Sequence, residues 1–375
     1  MGQRERSLES LARLDPQMTQ INPRFWQNKR VFITGHTGFK GSWLSLWLTS
    51  LGATIKGYSL ALPTSPSLFQ ALNLSSEIDT VNGDIRDLEA LKCNIKLFNP
   101  DILIHMAAQP LVRLSYRDPT LTFSTNVMGT VNILEAARVC NNLKAIVNVT
   151  SDKCYENREW GQSFNEEDHM GGYDPYSSSK GCAELVTSAY RRSFFSQSDT
   201  AYIASARAGN VIGWGDWSED RLVPDIFRSI DHKVPLKVRN LNSVRPWQHV
   251  LEPLSGYLIL AEKLFVDGES YSEGWNFGPN ENDVRSVKWV LDYFVEKWGD
   301  QFSYEHETQS LLHEAQLLKL DTSKARSRLQ WHPRWSTTQA LDSITEFHNT
   351  LKTGINIRDE LVNQINRYCE GKTYV

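Results

Sequence analysis

Over its first 210 residues the chain alternates short apolar runs with longer stretches of helical periodicity. The run Arg30-Val-Phe-Ile-Thr-Gly35 is β-branched, aromatic and stopped by glycine, which predicts a buried strand. A helical pattern follows at 42–51. Residues 54–60, 101–109, 145–151 and 202–213 predict further strands, with helices ending near 97 and 139 and another opening at Pro175. Strands and helices in this alternation predict an α/β fold, a doubly wound parallel sheet. Past about residue 210 the rhythm gives way to prolines, tryptophans and loops, which predicts a smaller, mixed α/β lobe. Within it, 253–264 is apolar enough to return to the main sheet. The expected organisation is a loosely ordered extension over 1–23, helical in pattern around 8–14. A main domain over 24–209 follows, taking back about 250–278, and then an interleaved second lobe over 210–375. No internal repeat is visible.

Composition narrows the class. A chain of 375 residues, 40% hydrophobic and 22% charged, can bury a large core. A net charge of −4 gives no reason to expect nucleic-acid or membrane binding. There is no 18-residue apolar run and no apolar core near Met1 of the signal-peptide kind. Five scattered cysteines without a C-x-x-C pair read as reduced thiols in a cytoplasmic enzyme. Twelve tryptophans, among them Trp160, Trp214, Trp217 and Trp247 beside polar loops, suit sugar or nucleotide surfaces as well as core packing. His36, His105 and His249 lack metal-site spacing, so no metal is expected.

Candidate chemistry collects at the predicted strand ends, where ligands of such sheets bind. Gly35-His-Thr37-Gly38-Phe39-Lys40-Gly41 lies between the first strand and its helix. Glycines there permit a tight turn and let a dinucleotide's pyrophosphate approach the helix N-terminus, a Rossmann-type cofactor site. The second strand ends without the acidic residue that would hold a ribose 2′-hydroxyl, and without an arginine for a 2′-phosphate, so NAD against NADP stays open. Asp84, followed by Ile85, has two readings: a partner for the adenine amino group, or a cap for the next helix. Ala107, Ala108 and Gln109 end the fourth strand in small residues that a cofactor can pass closely. Asn126 reads as an anchor near Lys180 or as helix packing. Tyr176 and Lys180 are four apart in a helix and share a face. An ammonium beside a phenol favours the phenolate, a base for a sugar hydroxyl at neutral pH.

With the glycine loop, Ser151 and Tyr176-x-x-x-Lys180 in place, the chain resembles the extended short-chain dehydrogenase/reductases. The motifs Gly35-His-Thr-Gly-Phe-Lys-Gly-Ser-Trp43, Ala107-Ala-Gln-Pro-Leu-Val-Arg113, Thr150-Ser-Asp-Lys-Cys-Tyr-Glu156 and Arg245-Pro-Trp-Gln-His-Val250 are similar to the CDP-glucose 4,6-dehydratase family, from about residue 25 to about 341. The resemblance implies NAD as cofactor, CDP-glucose as substrate and a reaction without net redox change. Tyr176 takes the C4 hydroxyl proton, Ser151 holds the C4 oxygen, and Lys180 also holds the nicotinamide ribose. Asp152 protonates the departing O6. Lys153 stands where related enzymes carry a glutamate, and two roles are open for it: C5 base or stabiliser of the enolate. Candidate contacts to the CDP moiety are Arg113, Asn210, Arg221, Arg239, Arg245 and His249, with Arg245 foremost because a guanidinium grips pyrophosphate bidentately. The resemblance further implies a homodimer or homotetramer serving deoxysugar synthesis for surface polysaccharide such as O-antigen lipopolysaccharide. Other readings are a different nucleotide-sugar 4,6-dehydratase or a 4-epimerase, which needs no Asp152-Lys153 pair. A non-catalytic regulator would be expected to lose Tyr176, Lys180 or Asp152.

Overall fold

The computed structural model describes residues 21–159, 161–196, 200–307, 315–351 and 354–372. The pattern at 8–14 and Trp160 lie outside the described residues. Ile21 is already buried, and Asn22 caps the short helix Pro23–Trp26, whose Trp26 enters the main core. Residues 21–23 therefore belong to the fold and not to the extension.

Seven parallel strands form the main sheet: β1 (Arg30–Thr34), β2 (Thr54–Ser59), β3 (Asp79–Asn82), β4 (Ile102–His105), β5 (Ala145–Val149), β6 (Tyr202–Arg207) and β7 (Gly274–Asn276). Their order is β7-β6-β5-β4-β1-β2-β3. Successive side chains of a strand face opposite sides, and here both sides are covered. Val31 and Ile33 join a core with helices α1 (Phe39–Ser50), α6 (Leu251–Asp267) and α9 (Ile357–Cys369). Phe32, Leu103, Ile146 and Ile203 join a second core with α2 (Leu88–Phe98), α3 (Gly129–Ala137) and α4 (Pro175–Phe194). That double burial explains why the strand sequences read as continuous apolar runs.

The expected alternation holds, with local differences. The helix reaching toward residue 139 begins upstream at Val112 and breaks at Pro119, which has no N–H to continue it. Asp118 caps the restart by accepting from Leu121 N at 2.8 Å. Asn126 sits inside the wide turn Ser124–Met128 that leads into α3. The cap of α2 is Asp87, which accepts from Ala90 N at 3.0 Å, so Asp84 does not have that role.

The second lobe closes around its own core, where Ile226 of α5 (Leu222–His232), Phe294 of α7 (Val287–Trp298) and Leu341 of α8 (Thr337–Leu351) meet. Two later pieces return to the main sheet: α6 with edge strand β7, and α9, whose Tyr368 meets Trp47 of α1 edge-on at 5.9 Å.

Candidate active site

The loop after β1 is shaped by what a side chain would strike. Gly35 has φ +73°, and a Cβ on it would lie 2.7 Å from Ala107 N. A Cβ on Gly41 would lie 2.2 Å from Gly35 O. Gly38 caps α1 without a side-chain hydrogen bond, leaving the helix N-terminus to a ligand's pyrophosphate. At the end of β2, Ser59 and Thr37 pair hydroxyl to hydroxyl at 2.8 Å, where an acidic residue would hold a ribose. Asp84 is held by Arg86, whose Nε donates to both carboxylate oxygens at 3.0 and 2.9 Å. Ile85 is buried against Gly129, where a Cβ would meet it at 2.4 Å. Ala107 packs on the second core, Ala108 is half-buried, and Gln109 is clamped by Asn126. Asn126 accepts from Gln109 N at 2.8 Å and donates to Ser179 Oγ at 2.9 Å, tying the strand end to the helix of Lys180.

Pro175 at the first helical position and Asp174, which accepts from Ser177 N at 2.9 Å, start α4. The start fixes where Tyr176 and Lys180 point, and both are buried. Ser151 Oγ donates to Asp152 Oδ1 at 3.0 Å, accepts from Lys153 N at 3.2 Å and also hydrogen-bonds Tyr176. The 3₁₀ turn Asp152–Cys154 thus presents Ser151, Asp152 and Lys153 beside the phenol. Burial is the largest influence on Tyr176; it outweighs the Ser151 hydrogen bond and, with Asp152, pushes the phenol up to about 12. This corrects the expectation of a phenol lowered by its lysine. Lys180 Nζ instead donates to Val149 O at 3.5 Å, and burial brings the ammonium down to about 8 against the pull of Glu184.

Ser151, Asp152, Lys153 and Tyr176 line a cleft of about 390 Å³ between the main sheet and the second lobe. Phe39, Lys40, Arg113, Asn210, Arg221, Arg239 and Arg245 line it too. Lys40 is pushed down to about 7 by burial and by Lys180 and Arg221. Asn210 takes a left-handed φ of +48°, with its buried Oδ1 unpartnered. Asp152 Oδ2 is likewise buried and unpartnered, and both residues belong to the cleft lining.

His249 is a correction. It is fully buried between Trp43 and Trp335, with ring centroids at 5.9 and 4.8 Å, and its Nδ1 accepts from Leu251 N at 3.3 Å. Burial lowers it to about 3, and it packs the core instead of lining the cleft. The substrate role expected of it fails because the motif's last strand turns inward.

Several functional neighbours escaped sequence reasoning. Glu184, one turn beyond Lys180, accepts from Ser205 Oγ at 2.6 Å and from Arg207 Nη2 at 2.8 Å. Arg207 Nη1 donates to Tyr155 Oη at 2.7 Å, and Tyr155 donates on to Asn276 at 2.7 Å. The repeat of Tyr176-Lys180-Glu184 at i, i+4, i+8 could have found Glu184; nothing local marks Tyr155.

The profile of the family described as GDP-mannose 4,6 dehydratase matches residues 32–344. A CDP-glucose 4,6-dehydratase of Salmonella typhimurium is 56% identical over 332 residues, covering 88% of this chain and 92% of that protein. A CDP-paratose 2-epimerase of Salmonella typhi is 24% identical, covering 86% and 100%. Among solved structures, dTDP-glucose 4,6-dehydratase DesIV from Streptomyces venezuelae, with NAD bound, superposes with TM-score 0.73 at 20% identity over 84% of this chain and 96% of its own. A UDP-glucose 4-epimerase from Thermotoga maritima, with UDP-glucose, gives 0.75 at 20% identity over 86% and 99%. At these identities the structures attest the shared fold.

Proposed function

The chain belongs to the GDP-mannose 4,6-dehydratase family, and from that premise we infer that it is an NAD-dependent nucleotide-sugar 4,6-dehydratase acting on CDP-D-glucose. The product is CDP-4-dehydro-6-deoxy-D-glucose. One observation carries the reading. A buried Tyr176 with Ser151, Asp152 and Lys153 lines a cleft that arginines line as well, in a chain 56% identical to a CDP-glucose 4,6-dehydratase.

The cradle of Gly35, Gly38 and Gly41 at the N-terminus of α1 fits a dinucleotide pyrophosphate. The chemistry supplied by bound NAD is a hydride acceptor at C4 of the hexose and a hydride donor at C6. Tyr176 takes the C4 hydroxyl proton, and Ser151 holds that oxygen. The 4-keto group that results acidifies C5–H. Asp152 gives a proton to O6 as water leaves. Lys153 either takes the C5 proton or stabilises the enolate with its charge. Lys180 holds the nicotinamide ribose. Its charge, together with the positive charge a bound nicotinamide would bring, offsets the burial that raises the Tyr176 phenol in the free protein, so that Tyr176 can act as the base. Arg113, Arg221, Arg239, Arg245 and Asn210 hold the CDP moiety, the arginines gripping its diphosphate.

We assign the protein to the cytoplasm and to deoxysugar synthesis for surface polysaccharide. A homodimer or homotetramer is supported by apolar side chains left exposed on neighbouring helical segments, Phe123 and Met128 beside Leu185 of α4. Light scattering reads the mass; a monomer at micromolar concentration overturns the assembly.

The function itself is tested by incubating the protein and NAD with CDP-glucose, dTDP-glucose and GDP-mannose. A 4-keto-6-deoxy product from CDP-glucose is expected. Conversion of another nucleotide sugar alone would reassign the substrate, and a product retaining its C6 hydroxyl would remove the dehydratase.

A further inference from the structure

Three of the arginines lining the cleft already hold carboxylates: Arg221 holds Asp216, Arg113 holds Asp220, and Arg239 holds Asp220 and, at 3.9 Å, Glu307. Asp216 and Asp220 both come from the segment 213–220. Asp216 accepts from Arg221 Nη1 at 2.7 Å and from Ser218 N at 3.1 Å, with its side chain 4% exposed. Its neighbours Trp214 and Trp217 pack on each other at 5.2 Å, and Trp214 packs on Phe347 at 4.3 Å. That end of the segment is anchored. Asp220 differs. Its Oδ1 accepts from Arg113 Nη1 at 3.1 Å and from Arg239 Nη2 at 3.5 Å, one arginine from each lobe. Its side chain is 30% exposed on the cleft wall, and its backbone sits at φ +57°, a left-handed value uncommon outside glycine and asparagine. One carboxylate oxygen between two guanidinium groups occupies the position a phosphate oxygen would take.

We propose that Asp220 fills the diphosphate's place in the free protein and is exchanged for it on binding, which makes it a specificity-determining residue. The proposal rests on the reading of the cleft as a nucleotide-sugar diphosphate site. A ligand bearing phosphates gains both arginines as Asp220 gives them up. A neutral nucleoside or sugar gains neither and leaves Asp220 in place. Asp225, whose carboxyl is raised first by burial, brought down by its pairing with Arg228 and raised again by the charges of Asp220 and Asp216, adds a repulsion to the displacement. The exposed end moves toward solvent because the tryptophan-packed end stays fixed.

Asp220→Asn removes the charge and keeps a residue that tolerates the left-handed backbone; Asp220→Gly is the second variant, free of strain there. CDP and cytidine are titrated into each variant by calorimetry. CDP should bind about three- to tenfold more tightly than to the parent, the worth of two partly exposed ion pairs, and cytidine should not change. Unchanged or weaker CDP binding in both variants overturns the exchange, and so does an equal gain for cytidine. Arg113→Gln and Arg239→Gln test the site beneath it and should weaken CDP about tenfold. If they do while the Asp220 variants show no gain, the exchange alone is wrong. If neither weakens CDP, the diphosphate is not held there and both readings fail.

Discussion

Gly209 owes its identity to its neighbour across the cleft floor. A Cβ on it would lie 1.7 Å from Asp152 Oδ2, so any side chain displaces the carboxylate. Gly209→Ala should therefore form NADH from bound substrate yet lose water elimination, seen as reduced cofactor without 4-keto-6-deoxy product; unimpaired turnover would refute the placement. Lys153→Ala separates its two roles. As base, its loss stops exchange of C5–H with deuterated solvent while NADH still forms, whereas retained exchange leaves only the stabilising role. Tyr176→Phe should lower kcat by about 10²–10⁴, the range of a positioned acid–base group. Ser151, Asp152 and Lys153 were legible as sequence because they are contiguous, and Tyr176 with Lys180 because they are one helical turn apart. Gly209 and Asp220 were not, since Gly209 acquires meaning from Asp152, 57 positions away, and Asp220 from Arg113 and Arg239, 107 and 19 positions away.

The catalytic helix α4 carries Tyr176, Lys180 and Glu184 on one stripe, and the last ties it to β6 through Arg207, with side chains 4% and 6% exposed. Removing one partner of such a buried pair leaves an uncompensated charge. Glu184→Ala should cost about 3–5 kcal/mol of stability, measured by denaturant unfolding. The same carboxylate raises Lys180, whose ammonium burial alone would lower further. As pH rises through about 8 the Lys180 charge is lost, so kcat/KM should show an alkaline limb there. Glu184→Gln should move that limb to lower pH; an unmoved limb detaches it from Lys180. On α6, burial pushes Glu252 up to about 7, although Trp335 N, Arg334 N and Tyr368 Oη all donate to it. Its folded value lies above its unfolded one, so its contribution is fully present below about pH 4.5 and lost as pH rises through 7. Glu252→Gln, isosteric with the neutral acid, should raise Tm at pH 8 by roughly 2–5 °C and leave it unchanged at pH 4.5. At this scale sequence periodicity located α1, α4 and α6 well. The break at Pro119 went unread, although Arg117-Asp118-Pro119-Thr120 carries the polar cap and the proline that mark a helix start.

The molecule as a whole is interleaved. Residues 251–276 supply α6 and edge strand β7, and α9 covers α1, so the main sheet draws on chain from both ends. A fragment of residues 21–209 would expose the β6 edge and the face that α6 buries. It should fail to give a cooperative thermal transition by circular dichroism; cooperative folding would show that the first 209 residues suffice. The strand–glycine–helix opening, the alternating elements and the Tyr176–Lys180 spacing were decided by the sequence alone, because each is a short-range pattern that backbone sterics and helix geometry read directly. The inward turn of His249 was left to the tertiary structure. So were the rise of the Tyr176 phenol and the meeting of Arg113, Arg239 and Asp220. Burial and charge proximity depend on which distant segments pack together, and local pattern does not encode that.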